Sequence, residues 1–167
     1  MKTKESEMRD RKIKAFNEFA LAVDRMIAGE YVDTEFEGKE ISNEYLEYMH
    51  KNKTGALIKT SVRIGAILAE ADEKNLQALT KYAESIGLAF QIKDDILSEI
   101  GDEKILGKPV GNDRQKQKIT FVTKYGIEKA KQMLEVTIEN GIKELDFCKE
   151  KTEFLKEIAL YIKNREK

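Results

Sequence analysis

One cysteine, one proline, one histidine and no tryptophan occur in a chain of 167 residues. A lone thiol, Cys148, excludes an internal disulfide and a thiolate zinc cluster, and it is compatible with the reducing cytosol. With Pro109 as the single proline and no sustained alternation of β-branched residues, a sheet has no support. No apolar run approaches the roughly 18 residues of a membrane span, and the opening MKTKESEMRDRKIK has no apolar core of the kind an export signal needs. The expectation is therefore a cytoplasmic protein with no membrane span. Thirty basic residues against 31 acidic ones leave a net charge of −1, which gives no electrostatic case for nucleic acid or an anionic membrane.

What is present reads as helix from end to end, in one all-α domain over residues 1–167. The charged fraction, 37%, exceeds the roughly 25% of average domains and is of mixed sign, as solvated helix faces require. Ile13, Phe16, Ala20, Val23 and Ile27 recur at spacings of three and four, predicting a first helix with one apolar stripe that stops near Gly29. A loop through Glu37 to Lys39 should follow. Ser42 is placed to cap a second helix with Tyr45, Leu46 and Met49 inside, and Lys53-Thr54-Gly55 should interrupt or bend it. Leu57, Ile58, Val62, Ile64, Ile67 and Leu68 make a third helix apolar nearly all round, expected to lie centrally. Asp72 or Glu73 opens a fourth, whose stripe runs through Leu76, Leu79, Ala83, Ile86 and Phe90. Gly101 to Asn112 reads as loop, and helices over about Gly126–Cys148 and Thr152–Arg165 close the chain.

The fourth helix ends in QIKDDILS, with two adjacent aspartates among Ile and Leu. Gln91, Asp94, Asp95 and Ser98 fall at i, i+3, i+4 and i+7, so one helix face can turn their polar ends on one ligand. Two like charges this close raise each other's pKa unless a cation intervenes. A hard divalent ion such as Mg²⁺, completed by water and phosphate oxygens, suits the pair. The alternative is a solvated pair balanced by Lys93 or Lys104. Lys53-Thr54, Lys108 and Lys118 stand at loop or helix edges, where a flexible cation and a hydroxyl can reach phosphate, and together with the aspartates they suit a diphosphate.

These residues lie in segments that resemble a known family. HKNKTGALIKTSVRIGAILAEA and GLAFQIKDDILSEIGDEKILGKPVGNDRQKQKITF, with EFEGKEIS before them and YIKNREK at the end, are similar to the bacterial short-chain trans-prenyl diphosphate synthases of the farnesyl type. The resemblance implies an all-α isoprenoid-synthase bundle and a Mg²⁺-dependent transferase. In that reaction an allylic diphosphate loses its diphosphate and the resulting cation is attacked by isopentenyl diphosphate. Asp94 and Asp95 match the second aspartate-rich motif as metal ligands, with Asp94 the more direct. Lys53, Thr54 and Lys108 match residues that hold the allylic diphosphate, Lys118 a lysine near it, and Gln91 a glutamine of the cavity wall. Lys53, Thr54 and Gln91 would thereby stand at the reacting centre.

The chain departs from the family pattern in three respects. Ser98 replaces the motif's third aspartate, and Glu30 stands where a GGQ-like segment has glutamine. No first aspartate-rich motif occurs upstream of Asp94: Asp33, Glu35 and Glu37 alternate in what reads as a loop, and Asp72-Glu73 reads as a cap. The similarity is thus to the carboxyl-terminal half of such an enzyme. Three expectations follow: an incomplete prenyltransferase, a subunit completed by a partner carrying the other half, or a non-catalytic partner of another synthase. Half a bundle should expose apolar faces, so a homo-oligomer or such a partner is expected.

Overall fold

The computed structural model describes residues 3–36, 39, 42–100, 118–148 and 151–166, and every regular element among them is helical. In chain order these are α1 (Lys4–Glu35), α2 (Asn43–Asn52), α3 (Thr54–Leu68), α4 (Glu73–Ile100), α5 (Phe121–Tyr125), α6 (Ile127–Glu144), a 3-10 turn (Leu145–Phe147) and α7 (Glu153–Asn164). The all-α expectation holds. The loop expected over Gly101–Asn112, together with Lys104 and Lys108, lies outside the described residues.

The centre of the bundle is α4. It packs on α2, α3, α5, α6 and α7, and Tyr82, Ala83, Ile86, Ala89, Ile92 and Ile96 are buried along it. Phe121, Val122, Ala130, Leu134, Ile138, Leu145, Ala159 and Ile162 close the core from the other elements. The buried Tyr82 hydroxyl donates to the carbonyl of Leu155 at 2.6 Å, tying α7 to α4, and burial pushes its pKa up to about 12. The expectation that α3 would be the central helix is corrected. Its fully covered positions are mostly small (Gly55, Ala56, Thr60, Ala66, with Ile67), Ile58 and Val62 are only partly covered, and Leu68 is exposed.

Helix α1 overturns two expectations. It does not stop near Gly29 but runs a further turn and a half to Glu35. Gly29 is instead a point of close approach, since a Cβ there would lie 2.5 Å from the Lys53 nitrogen and 2.7 Å from the Asn52 carbonyl carbon. The apolar stripe also faces away from the bundle: Ile13, Phe16 and Ile27 are 54%, 69% and 60% exposed. The covered side carries Ala15, Ala22 and Gly29, small residues that let α1 lie close against α3 and the α2–α3 junction. On this same side Arg63 of α3 grips Glu18 through Nε and Nη2, at 2.8 and 2.6 Å, and donates through Nη1 to Thr80 at 2.7 Å.

The remaining boundaries follow local chemistry. Thr3 caps α1 and Ser42 caps α2, the Ser42 hydroxyl accepting from the Tyr45 amide. Asp72 takes the Asn75 amide at 2.7 Å where α4 begins. The helix expected from Gly126 is preceded by a separate short one, α5, because Thr120 and Thr123 form a capping box and Gly126, at φ +79°, breaks the chain between α5 and α6.

Candidate active site

Four chain segments meet at one cavity of about 200 Å³: the last turn of α1, the α2–α3 junction, the carboxyl-terminal turns of α4, and the approach to α5. Its wall includes Asp33, His50, Lys53, Gln91, Asp94, Asp95, Ser98, Lys118 and Thr120. Of the residues expected from sequence, Lys53, Gln91, Asp94, Asp95 and Lys118 are thus brought together. Thr54 is the first residue of α3 and does not line the cavity. A larger cavity of about 540 Å³, bordered by Arg25, Lys51, Lys59, Ser85 and Thr137, contains none of these site residues.

The lysines are held by acids that the sequence reading placed elsewhere. Asp33, expected in a loop, sits on α1 and is bonded by Lys53 at 2.6 Å and by Lys118 at 3.3 Å. Burial alone would raise the Asp33 carboxyl, but the bonds and charges of the two lysines outweigh it and hold the pKa below its ordinary value. Glu30 adds a second carboxylate to Lys53 at 2.9 Å, so the exchange of amide for acid puts a negative charge in contact with the lysine. Burial pulls Lys53 down while Asp33 and Glu30 hold it up, and the net direction is upward. Lys53 is therefore a charged, anchored donor whose Nζ is fixed at the cavity wall.

The two aspartates differ sharply. Asp95 is buried and accepts the Phe121 amide at 2.7 Å, which fixes the start of α5 to α4. Asp94 is 44% exposed in its side chain and pairs with Arg165, whose guanidinium lies 4.1 Å over the Phe90 ring. Among the described residues the cation paired with Asp94 is thus Arg165 rather than Lys93. His50 stacks on Phe121 and sits with Nδ1 3.3 Å from the Gln91 amide oxygen and Nε2 4.0 Å from Asp95. Burial carries its pKa down to about 4, so it is neutral at physiological pH.

Among the described residues no group of three or more His, Cys, Asp or Glu side chains is placed to enclose a metal ion. The donor set nevertheless fits Mg²⁺ of one kind: an ion held by one or two carboxylates and completed by water and phosphate oxygens. Asp94 offers a half-exposed carboxylate to such an ion, and the Asp95 carboxylate, bonded to the Phe121 amide, stands beside it in the cavity wall. Sequence reasoning missed Asp33, His50 and Arg165 as site residues. His50 is the single histidine and stands three positions before Lys53, whereas Asp33 and Arg165 reach the site only through helix packing.

The fold recurs in solved structures. Geranylgeranyl pyrophosphate synthetase from Pyrococcus horikoshii superposes with a TM-score of 0.84 at 28% identity, over 94% of this chain and 60% of that one. A geranylgeranyl pyrophosphate synthase from Corynebacterium glutamicum, solved with isoprenyl diphosphate and magnesium, gives a TM-score of 0.83 over 96% of this chain and 57% of that one, and at 23% identity it speaks for the fold. Residues 2–158 match the polyprenyl synthetase family, and the chain belongs to it. Among characterised relatives, farnesyl diphosphate synthase of Escherichia coli is 41% identical over 146 residues, spanning 85% of this chain and 49% of its own. Geranylgeranyl diphosphate synthase of Cyanophora paradoxa is 39% identical over 141 residues, 84% of this chain and 47% of its own. The chain spans about half the length of the curated relatives it matches.

Proposed function

We propose that this chain is the allylic-diphosphate side of a farnesyl-type prenyltransferase, which condenses an allylic diphosphate with isopentenyl diphosphate once a segment with the first aspartate-rich motif completes the site. The observation that carries this reading is the convergence of Lys53, Lys118, Gln91 and Asp94 on one cavity from three separate segments. Lys53 and Lys118 are charged donors for diphosphate oxygens, anchored in advance by Asp33. Gln91, its amide oxygen set against His50, presents a neutral polar group to the wall. Mg²⁺, held by Asp94 with Asp95 beside it, would neutralise the departing diphosphate. Thr54 and Lys108 belong to the proposal by their match to the family alone.

The completing segment is either a second polypeptide or another part of the same enzyme. The exposed stripe of Ile13, Phe16 and Ile27 supports an extended helical contact with it or with a second copy. Product formation from geranyl and isopentenyl diphosphates with Mg²⁺ tests the reading: the 167 residues alone should give no product above background, and adding a polypeptide that carries the first motif should restore turnover. Calorimetry tests the site separately. Diphosphate should bind weakly and only with Mg²⁺, and Asp94→Ala should abolish the metal-dependent heat. Equal negligible heats in wild type and Asp94→Ala, with and without metal, would remove the site from this chain.

A further inference from the structure

Arg165 is the residue that ends α7, its own amide donating to the Tyr161 carbonyl at 2.8 Å, so the helix end delivers its side chain to a fixed place. There the guanidinium lies over Phe90 at 4.1 Å, donates through Nη2 to the Phe90 carbonyl at 3.1 Å, and pairs with Asp94. Phe90 and Asp94 are one helical turn apart on α4, so a single planar group spans both. The arginine side chain is 9% exposed and the Asp94 side chain 44%, which leaves the carboxylate open on its far side.

We propose that Arg165 is a resident counter-ion of the site, holding Asp94 until a metal–diphosphate arrives and then yielding the carboxylate, which frees the last turn of α7 from α4. The proposal rests on the reading of Asp94 as a metal ligand. A guanidinium and a divalent ion compete for the same carboxylate charge. With the ion in place, Arg165 would face two positive charges where it had faced a carboxylate. Without the ion pair the stacking on Phe90 holds the guanidinium to α4 less firmly, so the last turn of α7 loosens while its earlier turns stay seated through the Tyr82 bond to Leu155.

The test compares wild type with Arg165→Gln and Arg165→Lys in the full chain. Inorganic diphosphate is titrated calorimetrically at fixed Mg²⁺, and hydrogen exchange is followed over residues 158–166. Arg165→Gln should bind magnesium diphosphate about two- to fivefold more tightly, the range a partly exposed ion pair carries, with Arg165→Lys between it and wild type. Wild-type exchange over α7 should rise when metal and diphosphate are both present and not with diphosphate alone. The bond from Tyr82 to Leu155 keeps α7 seated in both variants, which circular dichroism verifies. Metal-dependent binding that is unchanged or weaker in Arg165→Gln would overturn the counter-ion role and leave Asp94 as a ligand, whereas no metal-dependent binding in any of the three proteins would remove both.

Discussion

Replacing Gly29 by alanine probes the contact that brings α1 to the site. The added methyl would stand 2.5 Å from the Lys53 nitrogen and 2.7 Å from the Asn52 carbonyl carbon, where ordinary contact begins near 3.4 Å. Both neighbours are main-chain atoms, and the Lys53 amide is itself committed to the Met49 carbonyl at 2.8 Å, so no rotamer change relieves the clash. Helix α1 must move off by about an ångström, at a cost of about 1–3 kcal/mol for overpacking. Asp33, one turn further on, moves with it and stretches its 2.6 Å bond from Lys53. Gly65→Ala on α3 is the internal control. A Cβ there meets nothing within 4 Å, so only the helix-propensity gain of about 0.5–1 kcal/mol should appear, as stabilisation. Urea unfolding of both variants at equal m reads the difference directly. If Gly29→Ala and Gly65→Ala shift stability in the same direction by the same amount, the close approach of α1 to the α2–α3 junction is wrong.

Four further outcomes follow from the same geometry. Arg63→Gln should lose about 1–2 kcal/mol in chemical denaturation, since it breaks a two-pronged, partly buried pair with Glu18. The Arg63 hydrogen bond holds the Glu18 carboxyl below its ordinary value of 4.5, so this stabilisation is complete above that pH and is lost as pH falls through the lowered folded value; Glu18→Gln should flatten that part of the acid limb in a pH series of melting curves. Phe16→Glu should weaken self-association, read by sedimentation, while leaving the helical signal intact, because Phe16 is 69% exposed; a wild-type chain that sediments as a monomer at every concentration would refute the contact. Ser98→Asp should raise the affinity for magnesium diphosphate and lower metal-free stability, because Ser98 is buried in the cavity wall and a carboxylate there needs the cation.

Helical periodicity made the elements legible and misled about what covers them. The stripe of Ile13, Phe16 and Ile27 is real, yet it faces outward, because a spacing of three and four defines a face without saying what lies against it. The side that does pack carries Ala15, Ala22 and Gly29, whose value is closeness rather than apolar area, a property that a count of large apolar residues overlooks. The same bias put α3 at the centre in place of α4. Within the site, QIKDDILS was legible because its residues share one helix face, and Lys53 and Lys118 were legible through the family resemblance. Asp33 reaches Lys53 from 20 positions away, and Arg165 reaches Asp94 from 71, through contacts between helices that local spacing does not encode. The distinct fates of the two adjacent aspartates were equally hidden, since only the arrival of the Phe121 amide makes Asp95 a structural acceptor.

Gly55 and Gly87 bring the backbones of α3 and α4 so close that a Cβ on Gly87 would lie 2.9 Å from the Gly55 Cα. The gap between the helix that begins beside Lys53 and the helix that carries Gln91 and Asp94 is therefore set by main-chain atoms, which every amino acid possesses. Substitutions that resize neighbouring side chains can drift without altering this spacing, and the helix surfaces, where much of the 37% charge resides, are free to diverge around it. For anyone re-engineering the cavity, Gly87 acts as the gauge block of the instrument: changes of bore belong at the flanking side chains, and any larger residue at this position pushes α4 off α3 and recalibrates the distances across the site at once.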